Sequence, residues 1–267
     1  MRWAVNTSLL FGDLPLERRP QAARDAGFTA VESWWPFDSV TPADREVEAF
    51  ARSVEDAGIR LVALNFPAGA MADGERGLVS LPGREGEWRD AVAATVGIGE
   101  RLGARLFNAL YGNRAEGAVP AAQDALAVEH LALAGRAAAG IGGTVLLEPL
   151  SAAPRYPLRR AEDALAVVDR VAAESGVRAL GLLLDLYHLA VNGEDLDRVV
   201  ALHGPRAAHV QVADAPGRGA PGTGQLDLVR HLRRLEDAGY GGWVALEHLP
   251  GDGDPFAWLP RERRAAG

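Results

Sequence analysis

Short, unbroken apolar runs alternate along the chain with longer stretches of helical period. Buried parallel strands have this signature, because both of their faces are covered. The runs predict strands at Trp3–Val5, Ala30–Val31, Leu61–Leu64, Arg105–Phe107, Val145–Leu147, Gly181–Leu184, Ala207–Val210 and Val244–Leu246. The intervening stretches carry helix boundaries. Thr41-Pro42 predicts a cap ahead of a first helical turn, with Gly58 closing that helix. Gly27 and Gly103 close two others. Between Leu226 and Ala238 the apolar positions 226, 229, 232 and 235 predict a helix that stops at Gly239. Eight strand-then-helix units with no break in composition predict an α/β fold, a single (β/α)8 TIM-barrel domain over residues 1–267. A doubly wound open sheet is the alternative, but it usually has fewer strands at this length. The longest irregular stretch, Asn65 to Arg84, is long enough to be a functional loop.

In such a barrel, chemistry gathers where strands hand over to the following loops. The residues at those points are Asn6, Glu32, Asn65, Asn108, Glu148, Asp185, Gln211 and Glu247. Each is an acid or an amide. Such residues also cap helices, and Asn6, Asn65 and Asn108 fit that reading best. The last four differ, because each interrupts an apolar run: Val-Leu-Leu-Glu148, Leu-Leu-Leu-Asp185, His-Val-Gln211 and Val-Ala-Leu-Glu247. Carboxylates converging where water is scarce repel one another. Either some are protonated or a cation sits among them, and oxygen ligands suit a hard divalent ion, Mg or Mn.

Composition narrows the chemistry. The 267 residues contain no cysteine and no lysine, so all 28 cationic side chains are arginine. Thiolate nucleophiles, Schiff bases and Walker-type ATP binding are excluded. A net charge of −8 makes nucleic acid a poor partner and leaves a small-molecule substrate open. No segment reads as a signal peptide or membrane span, so the expectation is a cytoplasmic protein without a membrane partner; a homo-oligomer stays open.

Several segments resemble the hydroxypyruvate isomerase family of the xylose-isomerase-like barrels. They are Asn6–Phe11, Asn65-Phe-Pro-Ala-Gly69, Gly74-Glu-Arg-Gly77, Pro82-Gly-Arg84, Asp185-Leu-Tyr-His188, Gly217-Arg218 with Pro221-Gly-Thr-Gly224, and Gly241-Gly-Trp243. The likeness extends to about Pro250. It implies a metal held by Glu148, Asp185, Gln211 and Glu247, with Glu148 and Glu247 doubling as acid and base from opposite strands. It implies substrate contacts from His188 and Arg218, the latter gripping a carboxylate. Asn65 and Glu75 are expected to touch substrate as well, Glu75 and Arg76 lying in a loop that can act as a lid. Trp34 and Trp35 read as packing, and Glu32 as an acid that orients a ligand. The chain departs from the family pattern at Ser151, where Asn is usual, and at Leu249, where Lys is usual.

The implied reaction is isomerisation of hydroxypyruvate to tartronate semialdehyde through an enediolate. A 2-oxo-tetronate isomerase and a ketose 3-epimerase are alternatives on the same machinery. From other classes, an endonuclease IV-like DNA-repair hydrolase would need more histidines and a basic groove. A non-catalytic binding barrel would not need the four ligands.

Overall fold

A computed structural model describes residues 1–265. Eight parallel strands close into a barrel in sequence order, with β1 pairing β8. They are β1 (Arg2–Asn6), β2 (Ala30–Ser33), β3 (Arg60–Asn65), β4 (Leu106–Asn108), β5 (Thr144–Leu147), β6 (Leu180–Asp185), β7 (Ala207–Val212) and β8 (Trp243–Leu246). All eight predicted runs are strands, most extended by a residue or two. The last two positions of the expected 1–267 domain lie outside the described residues.

The strands form because their residues bury on both sides. Val145, Leu146 and Leu147 are fully enclosed, as are Leu182, Leu184, Val244 and Leu246. Helices such as Glu85–Leu102, Pro120–Gly140 and Ala161–Ser175 cover the outside. Pro120 opens its helix at the first turn, where its missing N–H costs nothing. Register then sets the site. Asn6 aligns with Glu32, Asn65 with Asn108, and Asp185 with Gln211 across adjacent strands. The polar residues therefore share one level at the carboxyl end of the barrel.

Two helix boundaries differ from expectation. The helix after β2 runs Asp44–Asp56, not from Pro42, because Glu46 reaches back to accept the Ala43 N–H at 2.8 Å. The helix before β8 runs Leu228–Asp237, capped by Asp227 on the Arg230 N–H. Its buried face is Leu228, His231, Leu232 and Leu235, while Val229 is 64% exposed. A three-residue spacing falls about 60° short of a full turn at each step, so 229 drifts off the face that 235 occupies. Among the described residues, no helix is long and apolar enough to cross a membrane.

Candidate active site

Asp185 ends β6 and caps the short helix Leu186–Val191, accepting the His188 N–H at 3.0 Å. That cap places His188 beside the acids. The Ser151 N–H donates to His188 Nδ1 at 3.1 Å, and the Ser151 hydroxyl lies 2.7 Å from the same nitrogen. A ring nitrogen that accepts a backbone N–H carries no proton, so the proton sits on Nε2. Nε2 faces Glu148 at 3.7 Å and Asp185 at 3.9 Å. Burial, then the nearby Arg218 charge, lowers the His188 pKa to about 4, which keeps the ring neutral.

Glu148 follows β5. Its Oε2 accepts from Asn108 Nδ2 at 2.7 Å. Glu247 follows β8. Its Oε1 accepts from Trp34 Nε1 at 2.8 Å and from Asn6 Nδ2 at 3.2 Å, and its Oε2 pairs with Arg218 Nη2. Arg218 Nε also donates to the Glu247 carbonyl at 3.1 Å. The loop carrying Arg218 is tied to buried Asp214, which accepts the N–H groups of Gly222 and Leu226. A side chain at Gly224 would strike Asp214 and the Ala215 carbonyl at 2.4 Å, so only glycine lets the loop close this tightly.

Beneath these acids lies a second buried group. Glu32 accepts from Asn6 Nδ2 at 2.8 Å, Gln211 Nε2 at 2.7 Å and His209 Nε2 at 2.7 Å. A carboxylate cannot face an amide oxygen at that distance, so Glu32 dictates which way the Gln211 amide points. Gln211 Oε1 is left buried without a partner.

The electrostatics follow from crowding. Burial, then the charges of Glu247 and Asp185, pushes the Glu148 pKa well above the ordinary carboxylate range. Burial likewise raises Asp185 and Glu247 to about 6 each, although Arg218 pulls both back. Ligand atoms of Glu148, Asp185, His188 and Glu247 all lie within 4.8 Å of one another. A metal ion fits this set. Three crowded carboxylates would be relieved by a cation as well as by protons, and Gln211 Oε1 is an unspent buried acceptor. His188 belongs to the cluster by position, but its protonated Nε2 makes it a hydrogen-bond donor.

The predicted residues fall into two places. Glu148, His188, Arg218, Glu247 and Asn65 line one cavity of about 270 Å³, together with Trp34, Ser151 and Tyr187. Asp185 and Gln211 lie at the strand ends beside it. Glu75 does not line this cavity. Its carboxylate is held by Arg84 at 2.9 Å and by the Ala70 N–H at 2.7 Å, facing a neighbouring pocket. The loop instead delivers the next residue, Arg76, into the cavity. Glu148 and Glu247 stand three strands apart in the closed order, not on opposite strands. Trp34, read as packing, is a direct partner of Glu247. Leu249 is 46% exposed, its N–H donating to the Arg218 carbonyl at 2.8 Å.

A closed parallel barrel with an acid cluster at its carboxyl-end mouth has the layout of the barrel enzymes, whose active sites sit at that face. Residues 20–265 match the xylose isomerase-like TIM barrel family. A Streptomyces coelicolor protein provisionally named a hydroxypyruvate isomerase is 52% identical, over 99% of this chain and 98% of its own. The Escherichia coli hydroxypyruvate isomerase is 31% identical over 94% of each chain. The 2-oxo-tetronate isomerase of Cupriavidus necator is 30% identical over 97% of each. Among solved structures, that of a Brucella melitensis protein named AP endonuclease, family 2, superposes with a TM-score of 0.86, at 33% identity over 97% of each chain. The chain belongs to the xylose isomerase-like TIM barrel family, in its hydroxypyruvate isomerase-like branch, and is an enzyme of the isomerase class.

Proposed function

We propose that the protein isomerises a small 2-oxo acid, hydroxypyruvate to tartronate semialdehyde, with Glu148 and Glu247 moving the proton. The carrying observation is the pair of buried glutamates, both with raised pKa values, in one cavity with a neutral histidine donor. A carboxylate with a raised pKa is a stronger base and holds a proton closer to neutral pH. One glutamate takes a proton from C3, breaking that C–H bond. A protonated glutamate delivers a proton to C2 to form the new C–H bond, and the C3 hydroxyl proton passes to the C2 oxygen. The C3 hydroxyl becomes the carbonyl as the C2 carbonyl becomes the hydroxyl.

Glu148, Asp185, Gln211 and Glu247 would hold a divalent ion, Mg or Mn. Such an ion supplies polarisation of the substrate carbonyl and stabilisation of enediolate charge. His188 offers Nε2–H to a substrate oxygen. Arg218 keeps Glu247 in place. Asn108, Asn6 and Trp34 fix the carboxylates they touch, which limits the geometries open to each. Asn65, on the cavity wall, is a further substrate contact.

A four-carbon 2-oxo acid is the nearest alternative, supported by the 2-oxo-tetronate isomerase relative. An endonuclease reading draws on the name given to the Brucella protein. The net charge of −8 and a cluster with a single histidine speak against it. The deciding experiment strips the protein with EDTA, reloads Mg²⁺ or Mn²⁺, and assays hydroxypyruvate, 2-oxo-tetronates, ketohexoses and plasmid nicking. Ion-dependent turnover of hydroxypyruvate is expected. Turnover of ketohexoses alone, or nicking, contradicts the proposal.

A further inference from the structure

The site has a charge problem that Arg218 does not solve. A 2-oxo acid substrate is an anion, and it must enter a cavity walled by acids. Arg218 was the expected partner for its carboxylate, but Arg218 already pairs with Glu247 through Nη2 and Nε. Glu75 of the loop is an acid, held by Arg84 and turned elsewhere, so it contributes no positive charge here.

Arg76 is the remaining cation on the cavity wall. Its Nη1 donates to the carbonyls of Met71 at 3.0 Å and Glu75 at 2.6 Å. Those are neutral acceptors, and among the described residues Arg76 has no carboxylate partner. One edge of the guanidinium is anchored while Nη2 and Nε stay unspent, which pre-organises the fork for a planar anion. The backbone is equally fixed. The Arg76 carbonyl accepts the Gly112 N–H at 3.0 Å, and the Gly77 N–H donates to the Ala68 carbonyl at 2.8 Å. Gly77 has φ +108°, and a Cβ there would lie 1.8 Å from the Leu110 carbonyl oxygen. The loop is thus built to hold residue 76 at one place on the wall.

We propose that Arg76 recognises the substrate carboxylate, making the site selective for 2-oxo acids over neutral ketoses. This rests on the proposed 2-oxo acid reading. The test compares ion-loaded wild type with Arg76→Gln. It measures KM and kcat for hydroxypyruvate, inhibition by tartronate (an unreactive carboxylate), and inhibition by dihydroxyacetone, in which CH2OH replaces the carboxylate. The KM and the tartronate inhibition constant should each rise about ten- to hundredfold, the range for lost hydrogen bonds to a charged group. The kcat should change far less, and dihydroxyacetone inhibition should stay as it was. Constants within twofold of wild type, or an equal loss for dihydroxyacetone, overturn the proposal. Failure of wild type to bind tartronate overturns it too. If wild type turns over no 2-oxo acid yet its tartronate binding still depends on Arg76, carboxylate recognition stands and the assigned reaction fails.

Discussion

The two halves of the barrel mouth are built from opposite materials. Strands β1 to β4 end mainly in amides: Asn6, Asn65 and Asn108. Strands β5 to β8 end mainly in acids: Glu148, Asp185 and Glu247. The amides donate to the acids of adjacent strands, Asn108 to Glu148 and Asn6 to Glu247. Each half holds one exception, Glu32 among the amides and Gln211 among the acids, and these two bond to each other. One half therefore supplies crowded carboxylates, and the other supplies donors that aim them. Amides suit the second task because they carry no charge to oppose an incoming anion.

Removing the acids should break this arrangement most severely. Glu148→Gln or Glu247→Gln should lower kcat for hydroxypyruvate by about 10² to 10⁴, the usual worth of a positioned acid or base, with circular dichroism unchanged. Near-wild-type turnover in either variant would remove that residue from the proton path. The exceptional pair comes next. Glu32→Ala frees the Gln211 amide to turn, and Mn²⁺ affinity by calorimetry should fall about ten- to hundredfold, as for other groups that orient ligands. An unchanged affinity would separate Glu32 from the ion.

A pH series sharpens the comparison further. Asp185 and Glu247, with pKa values near 6, hold protons below that pH that a cation must displace. Ion affinity should therefore rise as pH increases from about 5 to 7.5. The sign for stability is the reverse without ion. A folded-state pKa raised above the unfolded value gives stability that is full below the ordinary carboxylate range and lost as pH rises through about 6. The increase in Tm that the ion confers should accordingly be larger at pH 7.5 than at pH 5.5, and a constant increment would contradict the crowding argument. The smallest effect is expected from Trp34→Phe. It removes one donor to Glu247 but keeps the ring, and should lower kcat about tenfold at most, the scale of one ordinary hydrogen bond.

Much of this was legible in the chain. Glu148, Asp185, Gln211 and Glu247 stand out because each ends an apolar run that burial alone would have continued. The eight strands show for the same reason. What was hidden depends on direction in space. Glu75 and Arg76 are neighbours, and only the anchored loop decides which one faces the cavity. Trp34 looks like packing until its indole N–H is seen against Glu247. The Glu32–Gln211 bond joins residues 179 positions apart. Its one trace in sequence is that an acid and an amide stand where the pattern of each half expects the other.

Deuterium transfer tests the central claim most directly. With ion-loaded protein and hydroxypyruvate in D2O, wild type should place deuterium at the carbon that gains hydrogen. It should also wash deuterium into the C3 position of recovered substrate, while Glu148→Gln or Glu247→Gln abolishes both signals. Product formed without deuterium would mean that hydrogen passes between the carbons without exchange, by a direct shift or on one shielded base, and the pair of glutamates would not be the separate acid and base proposed here.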